Sequence, residues 1–96
     1  MTRQEALQIL RESRAEWLPF GVKSLALFGS VARDEAGPES DVDILVEFVG
    51  RATFDRYMNL LFFLEEVLGC KVDLATHKAI RPRLWPYINP ELVYVS

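Results

Sequence analysis

The hydrophobic and polar positions in the first third of the chain predict one helix followed by one buried strand. Thr2 and Glu5 have the spacing of a capping box, so the helix should begin directly after Thr2. Apolar residues then recur at helical spacing as far as Trp17, and we expect the helix to end there because a proline and a glycine follow. Residues 22–28 end in consecutive apolar positions, which is typical of a central strand covered on both faces.

The next segment predicts a short helical turn and a second strand with two unlike faces. A glycine and a serine end the first strand, residues 31–35 are long enough for about one helical turn, and a loop follows. In residues 41–48 apolar side chains occupy alternate positions and therefore share one face. The opposite face carries the acidic residues Asp41, Asp43 and Glu47, of which we expect Glu47 to be exposed to solvent.

The second half of the chain contains the clearest helix pattern. Thr53 can cap a helix over residues 54–68, and Gly69 supplies its C-terminal stop. The apolar stripe of this helix comprises Phe54, Met58, Leu61, Leu64 and Leu68. Three shorter elements follow, namely a strand at 71–75, a helix at 82–87 and a strand at 92–95. The alternation of helices and strands predicts an α/β or α+β fold around one sheet.

Length and charge limit what the chain can do by itself. Half of the 96 residues are hydrophobic and 26% are charged, which predicts a single globular domain over residues 1–96 with no apolar surplus for a second core. The formal net charge is -3, and residues 1–50 hold nine acidic against five basic side chains. This balance argues against autonomous nucleic-acid binding, which needs cationic side chains facing phosphates, and it suits the binding of cations.

Cysteine content and hydropathy exclude further classes. Cys70 is the only cysteine, which excludes an internal disulfide and a cysteine-based zinc site. The longest purely apolar run, residues 60–64, is far shorter than the roughly 20 residues of a membrane-spanning helix. The N-terminal residues also lack the apolar stretch of a secretory signal. We therefore expect a cytoplasmic protein that does not associate with membranes.

Two short motifs in residues 27–48 carry candidate chemistry. Gly29 allows a phosphate to approach the main chain closely, and Ser30, which we expect at the N-cap of the following turn, offers a hydroxyl beside free amides. Asp41 and Asp43 are separated by one residue on the predicted strand. Their carboxylates should project from one face roughly 6 to 7 Å apart and converge on a hard cation such as Mg²⁺.

A third carboxylate extends this candidate metal site. Asp73 lies in a predicted strand that should join the same sheet. If its side chain faces the same way as those of Asp41 and Asp43, three carboxylates can hold two Mg²⁺ ions, one under a triphosphate and one against an attacking hydroxyl. This arrangement suits nucleotidyl transfer, in which charge on the α-phosphate must be stabilised as pyrophosphate leaves.

Taken together, these residues resemble the signature of the DNA polymerase β-like nucleotidyltransferase superfamily. The shared pattern is Gly29-Ser30, then Asp41-x-Asp43 after ten residues, and then Asp73. The segments GSVARDEA, SDVDILVEF and KVDLA are similar to the minimal nucleotidyltransferase (MNT) branch, and the likeness covers essentially the whole chain. The resemblance implies a single nucleotidyltransferase domain with a mixed β-sheet and helices packed on one face.

The resemblance also implies ligands and residue roles. ATP is the expected nucleotide donor, with two Mg²⁺ ions as cofactors. The catalytic and metal-binding residues are expected to be Asp41, Asp43 and Asp73. The residues expected to bind the nucleotide phosphates are Gly29, Ser30 and Arg33. This chain departs from the branch at Asp34, where glycine is usual.

The MNT resemblance implies a protein partner as well. Members of the branch are often encoded beside a small helical HEPN protein, a ribonuclease-type toxin, and act as its antitoxin by attaching AMP to a tyrosine. Two other functions stay open on the sequence. The chain could be a non-catalytic module that neutralises a toxin by occlusion, or a nucleotidyltransferase for a small molecule, for which a homo-oligomer would have to form the acceptor pocket.

Several residues have a structural interpretation beside the functional one. Arg33 could simply pair with Glu35 or Glu39 at the surface, an interaction of little energetic weight. Phe62 and Phe63 widen the apolar arc of their helix, which predicts either a deeply buried helix or a partner interface.

Overall fold

The computed structural model describes residues 1–95 and begins with a capped helix, α1 (Arg3–Glu12). The hydroxyl of Thr2 accepts a hydrogen bond from the Glu5 amide, and the Glu5 carboxylate accepts one from the Thr2 amide. This reciprocal pair is the capping box that the sequence predicts, so that prediction is confirmed.

The helix does not run unbroken to Trp17, because Ser13 separates α1 from a short helix α2 (Arg14–Trp17). The hydroxyl of buried Ser13 donates to the carbonyl oxygens of Ile9 at 2.9 Å and Leu10 at 3.3 Å, which competes with regular helical bonding. The indole of Trp17 donates to the same Leu10 carbonyl at 2.8 Å. Trp17 therefore turns under α1 and lies in the core.

The part of the chain covered by residues 1–95 forms a four-stranded sheet in the order β3-β2-β1-β4. Its strands are β1 (Val22–Phe28), β2 (Val42–Phe48), β3 (Val72–Thr76) and β4 (Val93–Tyr94). Strand β1 runs antiparallel to β2 and β4, whereas β2 and β3 run parallel. The expected mixed sheet is confirmed, with β2 beginning one residue later than predicted and β3 shifted by one residue.

The hydrophobic core lies between one face of this sheet and the helices. Helix α1 packs against α4 (Phe54–Leu68), and both contribute buried side chains to the cluster that includes Leu27, Ile44 and Leu74. Because side chains alternate along a strand, the residues between these positions face the other side of the sheet. The expected packing of helices on one face is therefore confirmed.

Helix α4 has the predicted bounds and caps. The Thr53 hydroxyl accepts from the Arg56 amide at 3.2 Å, and Gly69, with φ of 68°, ends the helix. The buried positions of α4 are Leu60, Leu64 and Leu68, of which Leu64 and Leu68 belong to the predicted stripe. Phe54 is 76% exposed, because its place in the first turn puts it beside a cavity at the end of β2 instead of over the sheet.

The adjacent phenylalanines of α4 have different surroundings. Phe63 is half-buried and its ring lies 5.7 Å from that of Phe20, whereas Phe62 is 60% exposed. Helix α4 is thus an amphipathic surface helix, not a deeply buried one. Among residues 1–95, the structure has no helix with the length and apolar character needed to cross a membrane.

The C-terminal segment is less regular than predicted. The helix expected at 82–87 is a single turn, α5 (Trp85–Ile88), between two 3₁₀ turns at His77–Ala79 and Asn89–Glu91. Pro90 has no backbone N–H with which to continue α5 beyond residue 88, which keeps this helix short. The second turn leads directly into β4 on the edge of the sheet.

Replacement of Leu64 by alanine should lower the free energy of unfolding by about 2 to 5 kcal/mol, because the side chain is fully buried and its loss leaves a cavity. Phe62→Ala on the exposed face of the same helix should cost less than about 0.5 kcal/mol. Urea denaturation followed by circular dichroism measures both values. Equal losses would contradict this orientation of α4.

Candidate active site

Two predicted carboxylates lie side by side in one row across the sheet. Phe28 of β1 is in register with Asp43 of β2, and Asp43 is in register with Asp73 of β3. Paired residues share a face of a sheet, so both carboxylates lie on the side opposite the core. The parallel pairing of β2 and β3 thus brings Asp43 and Asp73 together as the sequence predicts.

The position of Asp43 disfavours its charged form. Burial is the main cause that raises the pKa of Asp43, and the nearby Asp73 and Asp41 charges raise it further, from an ordinary 3.8 to about 6. Arg33 has the opposite effect and lowers the pKa of Asp43. Asp43 and its carboxylate neighbours therefore carry more negative charge at pH 7 than Arg33 offsets.

Asp41 lies beside this pair and not within a closed cluster. It precedes β2, is exposed, and acts on Asp43 through its charge. As the side chains stand, residues 1–95 contain no group of three or more His, Cys, Asp or Glu side chains that could hold a metal ion. Of the three carboxylates expected to form the site, Asp43 and Asp73 lie next to each other, and Asp41 lies just before β2.

The chemistry of the pair fits a divalent cation. Carboxylate oxygens are the ligands that Mg²⁺ prefers, and a cation beside Asp43 would offset the repulsion that raises its pKa. Asp43 and Asp73 are the residues that could hold such an ion.

The carboxylate of Asp43 lies so close to the backbone at Gly29 that it leaves no space for a side chain there. Its φ of 70° lies in the left-handed region, which glycine adopts without steric cost. A Cβ atom added at Gly29 would collide with Oδ2 of Asp43. The backbone after β1 therefore passes directly against the carboxylate, a contact that the sequence analysis did not foresee.

Ser30 does not occupy the N-cap that the sequence predicts, so that prediction is wrong. Helix α3 spans Gly29–Ala32, and its N-cap is Phe28. The helix begins early because the left-handed Gly29 turns the chain at once as β1 ends. Ser30 is thereby held directly after the Gly29 amide, within the same turn.

The other two residues predicted to bind phosphate, Gly29 and Arg33, both donate hydrogen bonds to the carboxylate of Glu91. The Gly29 amide donates to Oε1 of Glu91 at 3.1 Å, and Nη1 of Arg33 donates to Oε2 of Glu91 at 2.9 Å. Arg33 also donates to Glu35 at 3.3 Å, which confirms one of the pairings considered from the sequence. The hydrogen bonds from Arg33 to Glu91 and Glu35 raise the pKa of Arg33.

Sequence reasoning missed Glu91. It follows Gly29 by 62 residues and lies in an irregular segment, with no chemical motif beside it. The one sequence signal was its isolation, since it is the single acid in residues 74–96.

Asp34 accounts for the departure from the MNT pattern. Its φ of 59° is in the left-handed region, where glycine is favoured because it has no Cβ atom. Its Oδ1 accepts a hydrogen bond from the Arg3 amide at 3.0 Å, at the start of α1. The carboxylate of Asp34 thus ties α3 to α1.

The carboxylate pair does not line the cavity of about 680 Å³ found at the opposite end of β2, whose lining includes Phe48, Phe54 and Tyr57 among the described residues. Asp73 is instead exposed on the sheet face. Reactive carboxylates on an exposed face can serve a large acceptor, whereas a small acceptor would have to be enclosed.

The chain is similar to nucleotidyltransferases along most of its length. The family model described as a nucleotidyltransferase domain matches residues 7–93. A provisionally named protein adenylyltransferase of Methanocaldococcus jannaschii is 44% identical over 98 residues, covering 98% of this chain and 98% of the relative. The protein adenylyltransferase MntA of Thermococcus cleftensis is 35% identical over 96 residues, covering 99% of this chain and 97% of the relative.

Solved structures show the same fold. A protein described provisionally as a minimal nucleotidyltransferase superposes with a TM-score of 0.81 at 34% identity, covering 97% of this chain and 95% of that chain. A toxin–antitoxin crystal structure with AMP-PNP has a TM-score of 0.70 at 20% identity, covering 100% of this chain and 73% of that chain. At this lower identity the likeness concerns the fold.

Substitution of Gly29 by alanine should destabilise the protein more than the same change at Gly50. Both glycines have left-handed backbones, but a Cβ at Gly50 meets nothing within 4 Å, whereas one at Gly29 meets Asp43. Chemical denaturation should show an extra loss of at least about 1 kcal/mol for Gly29→Ala. Adding Asp43→Ala should recover that extra loss, and equal effects of the two alanines would exclude the collision.

The stability of the metal-free protein should fall between about pH 4 and pH 6 through Asp43. Its pKa is higher in the folded protein, so its favourable contribution is complete below pH 3.8 and lost as pH rises through about 6. Asp43→Asn should remove this dependence and raise the free energy of unfolding at pH 7 by about 1 to 2 kcal/mol, after discounting for solvent screening.

Glu47→Gln is the matched control for Asp43→Asn. Glu47 lies on the same strand and face but is exposed and forms a 3.5 Å ion pair with Lys23. Denaturation with EDTA across this pH range measures both variants. A steeper pH dependence in Asp43→Asn than in the parent would refute the electrostatic assignment.

Proposed function

From the premise that this chain belongs to the nucleotidyltransferase domain family and is a nucleotidyltransferase, we propose that it transfers AMP from ATP to a hydroxyl of a partner protein. The observation that carries the proposal is the packing of Asp43 beside Asp73 and against Gly29, within the electrostatic reach of Arg33. Ligands for a cation and donors for phosphate oxygens thus adjoin each other, which is what transfer from a metal-bound triphosphate requires.

The proposed roles follow from the chemistry of each group. The Gly29 amide, the Ser30 hydroxyl and the Arg33 guanidinium bind the phosphates of ATP, for which charged and forked donors are well suited. The carboxylates of Asp41, Asp43 and Asp73 hold two Mg²⁺ ions. When bound, Mg²⁺ supplies charge neutralisation at the phosphates and lowers the pKa of the attacking hydroxyl.

The transfer itself is an in-line substitution at phosphorus. The acceptor oxygen forms a bond to the α-phosphorus, and the bond between that phosphorus and the pyrophosphate oxygen breaks. Arg33 stabilises the negative charge of the departing pyrophosphate. The hydroxyl proton passes to Asp73, the more exposed member of the carboxylate pair.

A protein acceptor is supported by the location of the carboxylates and by the relatives. Asp73 is exposed on a sheet face, where the side chain of another folded protein can reach it. The two relatives carry the name protein adenylyltransferase, and the solved toxin–antitoxin structure has this fold. With the MNT resemblance, these observations support an antitoxin that modifies a tyrosine of a HEPN toxin.

Neutralisation of the toxin by occlusion, without transfer of AMP to it, is the second candidate. The carboxylates do not form a closed three-ligand group among the described residues. Glu91 also accepts hydrogen bonds from the Gly29 amide and Arg33, the donors that the first proposal assigns to phosphate. Under this alternative, binding alone would neutralise the toxin.

Incubation with radiolabelled ATP, Mg²⁺ and the purified HEPN-type partner should label the partner on tyrosine. Asp43→Asn and Asp73→Asn should each reduce the labelling rate at least about 100-fold, because they remove a metal ligand from the reacting centre. Chelation by EDTA should have the same effect. Mass spectrometry of the partner identifies the modified residue.

Glu47→Gln should label the partner at the parental rate, since Glu47 lies away from the carboxylate pair and is tied to Lys23. Protection of cells by the Asp43→Asn/Asp73→Asn protein, with its partner unmodified, would favour occlusion. Labelling by this double variant would contradict the catalytic roles of both aspartates.

A further inference from the structure

Glu91 bridges the two groups on either side of the turn after β1. One carboxylate oxygen accepts from the Gly29 amide at 3.1 Å, and the other accepts from Nη1 of Arg33 at 2.9 Å. A phosphate offers two oxygens to an amide and an arginine in the same way. The carboxylate of Glu91 therefore uses the donors that the proposed function assigns to ATP.

The surroundings of Glu91 allow its side chain to leave this position. Its side chain keeps 22% of its surface exposed, and the residue ends the 3₁₀ turn Asn89–Glu91. The following strand β4 is held separately, through its pairing with β1 and the 2.9 Å bond from the Val95 amide to the Leu25 carbonyl. Displacement of the Glu91 carboxylate thus requires a change of side-chain rotamer and leaves the sheet intact.

Resting on the proposed function, we infer that Glu91 is an internal competitor of the ATP phosphates and sets the affinity of the protein for nucleotide. In the nucleotide-free protein its carboxylate satisfies the Gly29 amide and neutralises Arg33. Triphosphate binding breaks both contacts, and the exposed carboxylate becomes solvated. Part of the nucleotide binding energy is spent on this exchange, so the apparent affinity is lower than the donors alone would provide.

Glu35 distinguishes competition from a general charge effect. It also pairs with Arg33, at 3.3 Å, but it is more exposed and is not the partner of the Gly29 amide. Removal of either carboxylate takes one negative charge from the vicinity of the phosphates. Of the two, only the removal of Glu91 also frees the Gly29 amide.

Isothermal titration of Mg·AMP-PNP into the protein tests the inference. Glu91→Gln and Glu91→Ala should bind about threefold to tenfold more tightly than the parent, since a charge-assisted competing contact is lost. Glu35→Gln should change the dissociation constant by a smaller factor. The KM for ATP should fall with the dissociation constant in the Glu91 variants.

If Glu91 only stabilises the structure, its removal should weaken nucleotide binding, because a disordered Gly29 turn would bind nucleotide more weakly. Equal or weaker binding by folded Glu91 variants therefore overturns the inference. If the parent binds nucleotide and the variants do not fold, NMR of the parent decides. AMP-PNP should shift both the Gly29 amide and the Glu91 side-chain signals, and an unmoved Glu91 would overturn the inference.

Absence of the nucleotide site on which the proposed function depends gives a different result. In that case neither the parent nor any variant would bind Mg·AMP-PNP at millimolar concentration, and the inference about Glu91 would fall with it.

Discussion

Two carboxylates, those of Asp43 and Asp73, must be held side by side on neighbouring parallel strands, and much of the site follows from this constraint. Partial burial of Asp43 is the main cause that raises its pKa to about 6, and repulsion from the in-register Asp73 raises it further. The sheet imposes the contact because backbone pairing and the buried apolar face fix the register. The core thus bears the energetic cost of holding these two carboxylates together.

The neighbouring groups are arranged around that excess of negative charge. Gly29 has no side chain and lets the backbone pass against Asp43, while Arg33 supplies a nearby positive charge. Glu91 in turn accepts hydrogen bonds from the Gly29 amide and from Arg33. These contacts link the turn after β1, strand β2 and the C-terminal segment into one unit. Such local destabilisation is common where a protein sacrifices stability for activity.

Exposure of this unit distinguishes the protein from enzymes that enclose a small substrate. The carboxylates lie on a sheet face, and the cavity of about 680 Å³ is found elsewhere. Because Asp73 is exposed, a side chain of another folded protein can reach it, which agrees with the proposed protein substrate.

By itself the sequence determined the features that depend on near neighbours in the chain. The caps at Thr2 and Thr53, the bounds of β1 and α4, and the candidate aspartates all follow from spacing over a few residues. Only the tertiary structure decided that Asp43 presses on Gly29, that Asp41 lies beside the carboxylate pair, and that Glu91 returns to the turn after β1. These contacts join segments far apart in the chain, and they exist because sheet register and core packing, which no local pattern encodes, bring those segments together.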